Sequence, residues 1–228
     1  MMKRLLKLVF IVVSIPLTVG FALALLPIAG HFVAFETRHI LFLSGAGAAL
    51  LGYPWLRRSQ FFRTFEHELT HLLAAKAFFA KWESLNVKSS GDGEVRYSRE
   101  SNFVIALAPY FLPLFAAAFA LLSPALHPKI AVYALVPAGF LLMHHLYSSI
   151  AEMLVGQPDI RESGRIFSFA FIALLGLLTY GCIIAFAAGG CPAVLEYLMA
   201  GPERAFEIGT TYAPTLLHRT AALLRGLF

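Results

Sequence analysis

Two histidines, His67 and His71, stand four residues apart with Glu68 between them, forming the pattern His-Glu-x-x-His inside the run Phe65-Glu66-His67-Glu68-Leu69-Thr70-His71-Leu72-Leu73-Ala74-Ala75. On a helix of about 3.6 residues per turn these two imidazoles lie one above the other and reach one metal ion, with Glu68 projecting beside it. The chemistry implied is a Zn2+ site with a built-in base. Two imidazoles and a third protein ligand would leave a fourth position for water, whose pKa zinc lowers toward about 7, and Glu68 would take its proton. The setting sharpens this reading, because Phe61, Phe62, Phe65, Leu69, Leu72 and Leu73 surround the polar residues. An ionisable side chain facing lipid there would cost at least about 2.5 kcal/mol. The plainer alternative is an internally satisfied polar patch or a pair of helix-end histidines.

The motif does not name the third ligand. Only two aspartates occur in the chain, Asp92 and Asp159. Asp92 sits in Gly91-Asp92-Gly93, where aspartate is an ordinary turn former. Asp159 follows Gly156-Gln157-Pro158 at the start of a late helix, in a chain that avoids charge elsewhere. A helix N-terminus favours an anion, so Asp159 is either a cap or the ligand, and the scarcity of candidates favours the ligand. His145 is the alternative third ligand, with His144 and Glu152 as further rivals on the helix before it.

The elements that must position these residues belong to a membrane protein. Hydrophobic residues make up 59% of the 228, charged residues 14%, and the mean hydropathy is +0.74. A soluble domain does not normally reach such values. The net charge of +5 comes with Lys3, Arg4, Lys7, Arg57, Arg58 and Arg63 at the ends of apolar runs, which reads as topology and excludes a nucleic-acid surface. Cys182 and Cys191 match no paired zinc pattern and are expected as free thiols.

Taken in order, residues 8 to 30 are too long for a signal-peptide core and predict a first span. A second span follows from Ile40 to Leu56, with Gly45, Gly47 and Gly52 permitting close helix packing. The positive-inside rule then places the N-terminus in the cytoplasm. The motif helix is expected from Gln60 to Lys81. Leu85-Asn86-Val87-Lys88 and Glu94-Val95-Arg96-Tyr97, separated by a glycine turn, predict a β-hairpin whose edge could pair with an extended peptide. Gly93, Glu94 and Val95 are the candidate substrate-binding residues. Spans at 102 to 126 and 130 to 155 follow, the first with Pro109 and Pro113, which free backbone groups that protein or water must pair. A last span from 166 to 188 leads to an amphipathic tail. The expected fold is an all-α polytopic membrane protein of about six embedded helices with a short β-hairpin, forming one domain. Within it, residues 1 to 58 give two spans, 59 to 190 the metalloprotease core and 191 to 228 the tail.

The His67-Glu68-Leu69-Thr70-His71 helix, the hairpin ending Gly93-Glu94-Val95-Arg96-Tyr97, the helix with Ala108-Pro109-Tyr110 and the late Pro158-Asp159 together resemble the site-2 protease family of intramembrane zinc metalloproteases. The likeness covers roughly residues 60 to 190. It implies zinc held by His67, His71 and Asp159, Glu68 as general base, and cleavage of a peptide bond within or near the membrane. Its partners would be membrane lipid and a transmembrane or membrane-proximal peptide. Where the family commonly has a Leu-Asp-Gly-like element, this chain has Gln157-Pro158-Asp159-Ile160. A second hypothesis keeps the bundle without catalysis, as a transporter or binding protein using His and Glu for metal or proton handling. Topology adds a constraint: if every apolar run crosses completely, Asp159 and His67 lie toward opposite faces. A shared site then requires a motif helix that enters part way, or spans broken near Pro109 and Pro158.

Overall fold

The computed structural model describes residues 2–56, 60–88, 93–97 and 102–225. Its helices are α1 (Met2–His31), α2 (Thr37–Leu56), α3 (Gln60–Ala77), α4 (Phe103–Phe111), α5 (Leu114–Leu122), α6 (Pro128–Ala131), α7 (Leu135–Val155), α8 (Pro158–Ser163) and α9 (Arg165–Arg225). Strands β1 (Trp82–Val87) and β2 (Gly93–Tyr97) pair antiparallel between α3 and α4. The connecting turn, with Asp92, lies outside the described residues, as do Arg57 and Arg58.

Among the described residues four helices are long and apolar enough to cross a bilayer, Arg4–Ala34, Thr37–Leu56, Lys129–Val155 and Arg165–Thr211. A fifth crossing arises if Phe103–Phe111 and Leu114–Ala125, bent by 71°, form one broken span. The chain is therefore a helical integral membrane protein. The motif helix α3 is not among these spans: it has 18 residues and ends at Ala77, and Phe79 beyond it adopts a left-handed backbone (φ 62°).

Packing fixes the relative directions. Phe42 lies against Gly139, Gly45 against Val136 and Tyr53 against Tyr147, so α2 and α7 run the same way. This approach needs glycine, since a Cβ on Gly45 or Gly139 would enter the facing carbonyl oxygen of Val136 or Phe42. A Cβ on Gly47 would meet nothing within 4 Å among the described residues. The α4–α5 pair supplies the return crossing between α2 and α7, so α3 and the hairpin add none. The topological constraint is met by this parity. α7 brings the chain to α8 at the end of the bundle where Lys7 of α1 donates to the Ser163 carbonyl at 2.6 Å, and there Asp159 meets α3.

Both helix breaks are satisfied by side chains. The break in the α4–α5 span falls at Leu112–Pro113, with Pro109 lying inside α4. The carbonyls at the α4 end are taken up by Ser149 Oγ on Pro109, Tyr180 Oη on Tyr110 and Thr179 Oγ1 on Phe111. Glu66 Oε1 accepts from Phe115 N at 3.5 Å, at the start of α5. Gly190 leaves the helical region (φ 71°, ψ −156°), and α9 folds back on itself there. Tyr197 Oη reaches the Leu177 carbonyl at 2.7 Å, although an unbroken helix would hold residues 20 apart at about 30 Å. Arg38 and His39 donate to the carbonyls of Phe186, Ala187 and Ala188 before that break.

Candidate metal centre

The helical spacing of α3 brings the His67 and His71 rings together, their centroids 4.8 Å apart and their Nε2 atoms 3.1 Å apart. Each ring is held from behind. His67 Nδ1 lies 2.8 Å from Glu152 Oε2 on α7, and His71 Nδ1 lies 2.9 Å from the Ile105 carbonyl on α4. A carboxylate and a carbonyl accept, so both Nδ1 atoms donate, and in neutral rings both Nε2 atoms then present lone pairs to each other. The Ile105 carbonyl is free for His71 because Pro109, four residues on, has no N–H to give it.

The third atom comes from the α7–α8 corner. Asp159 Oδ2 stands 3.6 Å from His71 Nε2 and 4.0 Å from His67 Nε2, and it accepts from Tyr110 Oη at 3.3 Å. Gln157 occupies the N-cap position of α8, so the Asp159 carboxylate faces the imidazoles from inside the first turn. Three lone-pair atoms thus converge, all within 4.8 Å of one another. Tetrahedral zinc with bonds of about 2.0 to 2.1 Å spaces its ligand atoms by about 3.3 to 3.4 Å, close to the two shorter separations here. Two imidazole nitrogens and one carboxylate oxygen are also ligand types that zinc accepts, so the donor set fits the ion.

Glu68 follows His67 on α3, and β2 runs against it. A Cβ on Gly93 would come within 2.7 Å of Glu68 Cγ and 3.0 Å of Glu68 Oε1, and would also strike Thr64 Cγ2. Only glycine lets the strand lie this close to that carboxylate. Glu94 and Val95 follow on β2, opposite Asn86 and Leu85.

The rival histidines lie elsewhere. His145 Nδ1 lies 2.9 Å from Tyr180 Oη, on the side of α7 facing α9. His144 packs edge-on against Phe62, with Nδ1 4.0 Å from Glu66 Oε2. Neither belongs to the converging group. Glu152, another rival, sits behind His67 rather than beside its Nε2. Sequence reasoning missed the orienting contacts of Glu152, Tyr110 and the Ile105 carbonyl, although Pro109 signals the last of these.

A helical membrane bundle with a His-Glu-x-x-His helix facing a carboxylate from a distant corner has the form of a membrane metallopeptidase. The Peptidase M50B-like family matches residues 40–155, just over half of the 228 residues, and the chain belongs to that family. The matched segment holds His67, Glu68, His71, Tyr110 and Glu152, with Asp159 just beyond it. Membership agrees with the resemblance to site-2 proteases, and the family is generally zinc-dependent. No curated protein and no solved structure matches the chain.

Proposed function

We propose that this chain is a membrane-embedded zinc endopeptidase that hydrolyses a peptide bond in transmembrane or membrane-proximal substrates. The observation that carries the reading is the convergence of His67 Nε2, His71 Nε2 and Asp159 Oδ2 within 4.8 Å of one another, with each ring's Nδ1 held from behind. With both imidazoles neutral, opposed lone pairs at 3.1 Å repel unless a cation lies among them. His67, His71 and Asp159 would hold that ion. When bound, zinc polarises the scissile carbonyl and lowers the pKa of water. Glu68 takes the proton from the attacking water as its oxygen bonds to the carbonyl carbon, then passes it to the amide nitrogen as the C–N bond breaks. The products are a carboxylate and an amine.

The hairpin would present the substrate. An extended peptide added to the β2 edge at Gly93, Glu94 and Val95 would run beside Glu68, its register fixed by main-chain hydrogen bonds. The basic residues flanking the first two spans put the N-terminus in the cytoplasm. The family match supports a peptidase and lends nothing to a non-catalytic transporter. Glu68→Gln is the test of mechanism: zinc stays bound while cleavage of a membrane-anchored peptide substrate falls to background. Cleavage at the wild-type rate would remove Glu68 from the reaction.

A further inference from the structure

Resting on the metal-centre reading, the geometry points to Glu152, clamped by Arg63, as the residue that positions His67 for the metal. One carboxylate serves two partners on the same face of α3. Its Oε2 lies 2.8 Å from His67 Nδ1, and its Oε1 lies 3.4 Å from Arg63 Nε, one helical turn before the histidine. The Glu152 and His67 side chains are only 12% and 13% exposed. A carboxylate this withdrawn from water needs a charged or hydrogen-bonding partner on each oxygen, and Arg63 and His67 supply them.

Three consequences follow for His67. Accepting the Nδ1 proton fixes the tautomer, so the Nε2 lone pair is the one that faces His71 and Asp159. It fixes the ring rotation from the α7 side. It also makes Nε2 more electron-rich than it would be behind a neutral acceptor, so His67 is the stronger of two chemically unequal imidazole ligands. His71, held by the neutral Ile105 carbonyl, is the other.

The placement is economical in the fold. Glu152 lies in the last turn of α7, Gly156 turns the chain with a left-handed backbone (φ 82°), and Asp159 follows on α8. One corner therefore delivers both the orienting group for one ligand and the third ligand itself. Glu152 cannot join the ligands while it holds Nδ1, because that atom is on the far side of the ring from Nε2.

The test uses the full chain in detergent, with the metal alone as probe. Zinc affinity is read by chelator competition, the ligand field by the visible spectrum after cobalt substitution, and the unfolding temperature of the metal-free protein separately. Glu152→Ala should weaken zinc about 10- to 100-fold while the cobalt bands keep the positions of an unchanged ligand set. Glu152→Gln, whose amide oxygen still accepts from Nδ1, should recover part of that loss, and it also serves if the alanine variant fails to fold. Arg63→Ala should lose less than Glu152→Ala. Unchanged zinc affinity with a lower metal-free unfolding temperature would make Glu152 a packing residue and overturn the inference alone. Shifted cobalt bands in Glu152→Gln would make it a ligand, with the same result. A wild-type chain that binds no zinc would instead bring down the metal centre itself.

Discussion

The bundle buries two pairs of histidines, and they differ in spacing. His67 and His71 are one turn apart on α3, and their Nε2 atoms meet at 3.1 Å. His144 and His145 are adjacent on α7, where successive side chains diverge by about 100° around the axis. His144 turns toward Glu66 and Phe62 on α3, and His145 toward Tyr180 on α9. Both residues of the α7 pair are 3% exposed, His71 is 8% exposed and the His67 side chain 13%, a difference too small to set the pairs apart. What separates them is where the ring nitrogens converge. The α3 pair is held by acceptors from behind and turns both Nε2 atoms to one point, whereas His145 Nδ1 meets the Tyr180 hydroxyl on α9, away from that point. A buried histidine in this protein is a candidate ligand only when a second and third ligand atom converge on it.

The largest effect expected from this contrast is on metal retention. His71→Ala should strip zinc and end cleavage, whereas His144→Ala should leave zinc content at the wild-type level, both read by metal analysis of purified protein. Loss of zinc from the His144 variant alone would reverse the ranking of the two pairs. A smaller effect should come from Tyr110→Phe, which removes one hydrogen bond of 3.3 Å from Asp159 and leaves every other contact of the ring. Net hydrogen-bond contributions of about 1 kcal/mol translate into a loss of zinc affinity of about fivefold. Chelator competition would resolve it, and a loss as large as that of His71→Ala would mean that the phenol itself meets the metal.

Much of this arrangement was legible in the residues. The His67–His71 spacing marks α3 as the candidate metal helix, and helical geometry alone makes those rings meet. The long apolar runs gave the spans because backbone in lipid must close its own hydrogen bonds. Crossing parity was harder. Counting α3 as a full crossing carries Asp159 to the far face, whereas α3, with Arg63, Glu66, Glu68 and Lys76 among its 18 residues, is too polar to be a span, and α7 runs parallel to α2. Proline signals were informative in chemistry but not in position. Pro109 sits within α4 and frees the Ile105 carbonyl for His71, while the break itself lies at Leu112–Pro113. The orienting role of Glu152 was beyond sequence reading, because a glutamate near the end of α7 reads equally well as ligand or partner until the ring atom it touches is known.

The most direct test of the account is the zinc content of purified wild-type, Asp159→Ala and His145→Ala chains, measured side by side. The convergence at α3 and α8 predicts about one zinc per chain in the wild type and in His145→Ala, with the ion lost from Asp159→Ala. Zinc retained by Asp159→Ala and lost from His145→Ala would contradict it, making Asp159 a residue of the α8 turn and moving the metal toward α7.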